Sequence, residues 1–326
     1  MKFLPLACLV LAATSALCLP AAAQQSSFPT RAVTIVTAFP AGSGPDAVLR
    51  LVSEKLSKLW GQPVLIVNKP GGGGFIAIEA SQRAPADGYT LVQFDSEHLS
   101  ALPLLYKAKG YVTLNNFEPV APLFRTPFFV AVPTDSKWQN MRDLIGAAKA
   151  APNKVNFGSW GIGSPGHLGG EQLELLAGIE MTHVPYREMS QLFTSVGTGE
   201  LQWSFGSIPS SQGIYKAGKL RYIGVAAAKR VPQMPNVPTM AEAGGPAGFE
   251  VNSFVALLSP KGIAGDVKAK IHADVLKVLA DPEVKGKFDT FAFETITWSP
   301  DQIRQNAEAK GKIYEELVKR KVISLD

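Results

Sequence analysis

The sequence predicts an α/β protein in two lobes, each built on a mixed, mainly parallel sheet covered by helices. Three observations lead there. At 326 residues the chain exceeds what a single hydrophobic core usually accommodates. Apolar, β-branched runs alternate with amphipathic stretches, the order expected of parallel strands with helical crossovers. A Gly-rich loop between strand and helix occurs twice, at matching places. With 46% hydrophobic and 18% charged residues, the composition excludes a disordered chain or a charged filament.

Taken in order, Ala32–Ala38 is β-branched and apolar throughout, as a strand buried on both faces would be. Phe39–Pro45 is a Gly/Pro loop, and Asp46 opens a helix with Val48, Leu51, Val52, Leu56 and Leu59 on one face, closed by Gly61. Val64–Val67 is the next strand, Phe75–Arg83 a helix, and Tyr89–Phe94 a third strand. The pattern restarts with strand Phe128–Val132, helix Met141–Ala150, strand Lys154–Phe157, loop Gly158–Gly166 and helix His167–Leu176. Strands at Met181–Pro185, Leu201–Phe205 and Leu220–Ala226 follow. After a Pro-rich run come strand Phe249–Leu258 and helices at Gly265–Leu279, Pro282–Phe288 and Pro300–Val318, the last with Ser299 as N-cap. Crossovers between lobes are expected near Leu123–Thr126 and Ala226–Lys229. That gives residues 24–123 with 228–326 as one lobe and 124–227 as the other.

The first residues read differently. Lys2, the apolar stretch Phe3–Pro20 and Ala21-Ala22-Ala23 describe a secretory signal peptide cleaved near Ala23. Both cysteines, Cys8 and Cys18, fall within it, so disulfides, a Cys nucleophile and Cys-ligated metal drop out for the exported chain. No other apolar stretch is long enough to span a membrane. The formal net charge of +5 arises from scattered Lys and Arg, without the basic stripe of a nucleic-acid binder.

The two glycine loops carry the functional argument. Gly42-Ser43-Gly44-Pro45-Asp46-Ala47 matches G-x-G-x-x-A, and Gly161-Ile162-Gly163-Ser164-Pro165-Gly166 matches G-x-G-x-x-G. Neither second strand ends in the acidic residue that NAD recognition wants, although Lys69 could meet a 2′-phosphate. Tight turns alone would also produce such loops. A third reading needs only that helix N-termini present free N–H groups and partial positive charge, so that a carboxylate could be held without Arg. No catalytic set accompanies them: G-x-S-x-G is absent, the four histidines lack metal spacing, and Asp95 and Glu97 read as solvated loop charges.

At Phe28-Pro-Thr-Arg31, Ala38-Phe-Pro-Ala-Gly42, Gly61-Gln-Pro-Val64, Asn68-Lys-Pro-Gly71, Asp87-Gly-Tyr-Thr90, Gly161–Leu168, His183-Val-Pro-Tyr186 and Val237–Gly244, the chain resembles the Bug receptors. These are the periplasmic solute-binding proteins of tripartite tricarboxylate transporters. The resemblance implies a type II-like periplasmic binding protein with a ligand enclosed between two lobes. It implies no chemistry on the ligand, no cofactor or metal, membrane transporter subunits as partners, and a monomer. By position it implies a site lined by Phe39, Ala41, Gly42, Ser43, Gly44 and Asp46 of the first lobe, with Ser159, Trp160, Gly163, Ser164 and His167 of the second. Ser96, Tyr186, Phe205 and Ser207 would stand at further strand ends. Backbone donors at Ala41–Gly44 and Gly163–Ser164 would hold a carboxylate.

Departures from the family pattern bear on the ligand. His98 and Arg187 offer partners for a second anionic end, and Gly206-Ser207 replaces a frequent Asp-Asn, removing an ammonium partner. A dicarboxylate is therefore expected rather than an amino acid. Phe39, Trp160 and Phe205 would favour a planar ring such as terephthalate. A ligand sensor for a signalling system and a secreted α/β enzyme are the rival readings.

Overall fold

A computed structural model describes residues 28–321 and 323. The expected signal peptide and both cysteines lie outside these residues.

Ten strands form two sheets. The first contains β1 (Val33–Thr37), β2 (Val64–Asn68), β3 (Thr90–Asp95), β4 (Phe117–Pro127) and β10 (Asn252–Pro260), in the order β2-β1-β3-β10-β4. The second contains β5 (Phe129–Pro133), β6 (Asn156–Ser159), β7 (Thr182–Pro185), β8 (Trp203–Gly206) and β9 (Leu220–Val225), in the order β7-β6-β8-β5-β9. The two orders are the same pattern. In each, three parallel strands meet one antiparallel strand, and the fifth again points with the first three. Hydrophobic clusters line both faces of each sheet, around Ile35, Leu49 and Leu257 with Phe94 and Ile303 opposite in one lobe. Phe157 and Trp203, with Phe129 and Leu192 opposite, do the same in the other.

β4 was not expected as a strand, because it carries Pro119, Pro122 and Pro127. It is an edge strand, paired with β10 on one side and bridged on the other by Glu294 at Arg125, and interrupted by two register shifts, so prolines cost few ladder bonds there. The second crossover also differs from expectation. Beyond β9 the chain stays with the second lobe, where Met240, Ala243, Phe249 and Val251 complete one core cluster and Val231 and Val237 another. Crossing back falls at Val251–Asn252 instead of near 227, and residues 231–251 pack with the second lobe. The backbone explains why: Met240 N–H donates to Val225 O at 2.9 Å and Val225 N–H to Pro238 O at 2.8 Å.

The two crossing chains run side by side. Asn252 pairs with Pro127 in the first sheet, and Phe128 N–H then donates to Val251 O at 3.3 Å. Ala226 joins them, donating to Phe128 O and accepting from Val251 N–H. This is a short, hydrogen-bonded hinge. The C-terminal helix Pro300–Lys321 starts as expected, Ser299 and Gln302 forming reciprocal capping bonds. It packs on the first lobe and reaches Leu168 of the second.

Candidate ligand cleft

Both glycine loops leave the carboxyl ends of the central parallel strands, β1 and β6. Ser96 and Ser207 follow β3 and β8, the neighbouring strands across the point where strand order reverses. Open α/β sheets bind ligands at that point. The two lobes touch there: a Cβ built on Gly44 would stand 2.9 Å from Pro209 Cγ of the second lobe, and 3.2 Å from Phe293 Cζ of its own. Gly44→Ala should therefore wedge the lobes apart, weakening ligand binding by about 1–2 kcal/mol, with a smaller loss of stability where the new methyl group crowds Phe293. Calorimetry beside a thermal melt checks this.

The loops are built alike, bond for bond. Gly42 has φ 81° and Gly163 φ 83°. Ser43 and Ser164 are N-caps of helices Gly44–Trp60 and Pro165–Ala177, accepting from Asp46 N–H at 3.4 Å and His167 N–H at 3.3 Å. Their hydroxyls donate backwards, Ser43 to Pro40 O at 2.8 Å and Ser164 to Gly161 O at 2.7 Å. Gly42 N–H donates to Asp46 Oδ2 at 2.8 Å and Gly163 N–H to His167 Nδ1 at 3.1 Å.

Most of the expected ligand donors have partners within their own loops. The N–H groups of Gly42, Ser43, Gly163 and Ser164 and both serine hydroxyls are engaged within their own loops. The first-turn N–H groups of Gly44 and Gly166 have no intrahelical acceptor, and Ala41 is exposed beside them. Pro45 and Pro165 contribute none. Asp46 likewise holds the loop together. Its carboxylate is 1% exposed and also accepts from Arg50 and from Asn68 Nδ2, at 2.8 Å. Burial alone would raise its pKa, but bonds from Arg50, Asn68 and Gly42 hold it below the usual range.

His167 does the corresponding work as a neutral imidazole. Burial, then the charge of His183, pushes its pKa down to about 3, and burial takes His183 to about 4. The rings lie 4.2 Å apart, and His183 Nε2 is 2.7 Å from Ser159 Oγ. Ser159 is buried and binds Gly161 at both N–H and carbonyl, so it shapes the loop. An unfolded histidine takes up its proton near 6.5, whereas His167 resists until about 3. Stability from this group is therefore complete above that upper value and lost as pH falls through the window. At pH 5 the loss should be about 2 kcal/mol. Chemical denaturation at pH 7 and 5 should show it, and His167→Asn should flatten the slope.

The other expected residues divide. Phe39 is half-buried and meets the His98 ring edge-on at 6.2 Å. Trp160 is half-buried over Gly166 and tilted on Phe128 at the hinge, with centroids 5.3 Å apart. Tyr186 is half-buried at the end of β7, and Arg187 is exposed with no ion pair among the described residues. Ser207 caps helix Ile208–Lys216 in a capping box with Ser210. Phe205 is fully buried between Trp203 and Phe249, and is a core residue instead of a cleft residue.

His98 is not a free anion partner. Its Nδ1 bonds Asp95, its ring stacks on Phe94, and its Nε2 side lies against Gly74. Burial lowers its pKa, but the Asp95 charge and hydrogen bond outweigh that and raise it, so the pair balances its own charge.

Asp95 and Glu97, expected as solvated charges, are both buried. Glu97 accepts from Ser96 Oγ at 2.9 Å, Ser253 Oγ at 2.6 Å, Tyr314 OH at 2.9 Å and Lys310 Nζ at 2.6 Å. Ser96 is therefore part of a buried ionic network beneath the cleft. Lys310 and Tyr314 lie more than 200 positions along the chain, and no local signal in the sequence marks them. Among the described residues no His, Cys, Asp and Glu group could hold a metal ion, and no helix is long and apolar enough to cross a membrane.

Comparison with known proteins gives this geometry a family. Residues 48–322 match the model of the tripartite tricarboxylate transporter family receptor. A protein of Pseudomonas sp. strain P51, described as "UPF0065 protein in tcbD-tcbE intergenic region", is 32% identical over 90% of this chain and 87% of its own. Protein BugT of Bordetella pertussis is 28% identical over 90% and 89%. Among solved structures, R. palustris Rpa4515 with adipate superposes with TM-score 0.82 at 30% identity, covering 91% of this chain and 99% of that one. Periplasmic binding protein BugD gives 0.79 at 27%, covering 91% and 99%. MatC from Rhodopseudomonas palustris with bound malate gives 0.79 at 26%, covering 89% and 100%. With its two like-built lobes and paired helix-end loops, the chain belongs to the tripartite tricarboxylate transporter receptor family, as a solute-binding receptor of the Bug type.

Proposed function

We propose that this receptor works in the periplasm, closes its two lobes on an organic dicarboxylate and delivers it to a tripartite tricarboxylate-type membrane transporter. One observation carries the reading: two loops of the same construction, one in each lobe, end at helix N-termini where first-turn N–H groups at Gly44 and Gly166 remain for an anion. One such end in each lobe suits a ligand with a carboxylate at each end. Adipate on Rpa4515 and malate on MatC are acids of that kind. Arg187 stands exposed beyond Tyr186 for a distal carboxylate, and no ammonium partner stands at Gly206-Ser207. Phe39 and Trp160 provide half-buried faces for a ring, so terephthalate belongs in the same test.

Titration calorimetry with adipate, malate, terephthalate and glutamate decides among these. A dicarboxylate should bind most tightly, without turnover. Tighter binding of glutamate would overturn the ligand class, and no binding of any acid would overturn carboxylate capture itself.

A further inference from the structure

The C-terminal helix makes a second junction between the lobes, away from the hinge strands. Its last turn carries Lys321, whose ammonium bonds Glu174 and lies 3.5 Å from Glu171 Oε2, both on the second-lobe helix Pro165–Ala177. The carboxylates are nearly buried, with side chains 14% exposed for Glu171 and 3% for Glu174. Beside the ions runs an apolar seam in which Leu168 of the second lobe packs on Ala101, Leu105, Leu317 and Val318 of the first. One cation supplied by the other lobe thus pairs with a buried acid and a half-buried one. Burial and the charge of Glu174 push the pKa of Glu171 up even with Lys321 in place.

The junction also leads into the cleft. Glu171 Oε1 lies 3.6 Å from His167 Nε2, and Nδ1 of the same ring accepts Gly163 N–H in the binding loop. A path of side chains therefore runs from a cation of the first lobe to the loop of the second.

We propose that the C-terminal helix is a clasp across the lobes, in which Lys321 is a positioning residue acting through Glu171 and His167 on the second-lobe loop. The proposal rests on the reading of the cleft as a carboxylate site that closes by lobe movement. Opening the lobes would pull Lys321 from both acids and part the apolar seam beside them, so the clasp favours the closed arrangement before ligand arrives.

The test pairs small-angle scattering of ligand-free protein with adipate titration, for the wild type, Lys321→Met, Lys321→Arg and Glu171→Gln. Lys321→Met should enlarge the radius of gyration and weaken adipate binding about tenfold, a typical coupling between sites. Lys321→Arg should restore both. Glu171→Gln, which keeps the Glu174 pair, should weaken adipate binding with a smaller change in size. If Lys321→Met melts at lower temperature but matches the wild type in size and affinity, the bond is only structural and the clasp is overturned. If the wild type ignores adipate, the ligand reading fails at that acid, while the scattering comparison still decides the clasp.

Discussion

Replacing Lys310 with Met should lower the free energy of unfolding by about 3–5 kcal/mol, the usual cost of removing one partner from a buried ion pair. The reason lies in Glu97, 5% exposed and held by Lys310 Nζ at 2.6 Å. Tyr314 and two serines also donate to it, but none brings a positive charge. Without Lys310 the carboxylate must be buried unpaired or take up a proton. Urea denaturation measures the loss. The double variant Lys310→Met, Glu97→Gln should recover much of it, because an amide can stay buried among hydroxyl groups. A loss below about 1 kcal/mol in the single variant would show that neighbouring donors suffice. Binding should suffer as well, since Lys310 also bonds the carbonyl of Asn252, the first residue of β10 beyond the hinge.

Asp46→Ala should have the next largest effect, about 2–4 kcal/mol in stability, together with a clear loss of ligand affinity. The side chain joins three pieces of the first lobe: the loop through Gly42, its own helix through Arg50 at 2.9 Å, and β2 through Asn68 at 2.8 Å. Removing it frees the turn that sets Gly44 and leaves the Asn68 amide N–H group with its bond to Phe39 O alone. Arg50 is half exposed and can return to water, which keeps the cost below that expected for Lys310. Asp46→Asn should lie between, because one amide oxygen can still accept from Gly42. The matching change in the second lobe, His167→Ala, should cost less, since a neutral acceptor is lost. Equal losses at the two positions, measured by the same denaturation, would show that the charge of Asp46 adds nothing.

Comparing the two loops shows what was legible in the chain. Gly42 and Gly163, Ser43 and Ser164, and the prolines beside them are spaced so that each loop's place and cap follow from residues only a few positions apart. Strand and helix order followed in the same way, as did the family. The helices Met189–Gly197 and Ile208–Lys216 and the strand β4 escaped. β4 escaped because prolines that would break a central strand are tolerated at an edge.

What each site residue does was another matter. Asp46 and His167 stand in the loops where ligand contacts were expected, yet both face inward onto a glycine N–H four residues back. Phe205 looked like a cleft aromatic and packs in the core, because β8 turns that face toward Phe249, which returns from a segment expected in the other lobe. Glu97 looked solvated and is buried, because Lys310 arrives from a helix 213 positions later.

The sequence by itself determined the alternation of strands and helices, the two capped glycine loops and the family, since periodicity and capping act within a turn or two of chain. Only the tertiary structure decided which donors remain for a ligand, where the chain recrosses the hinge and which acids acquire a cation. Burial and pairing depend on groups brought together from opposite ends of the chain, and no local pattern records who the neighbours are.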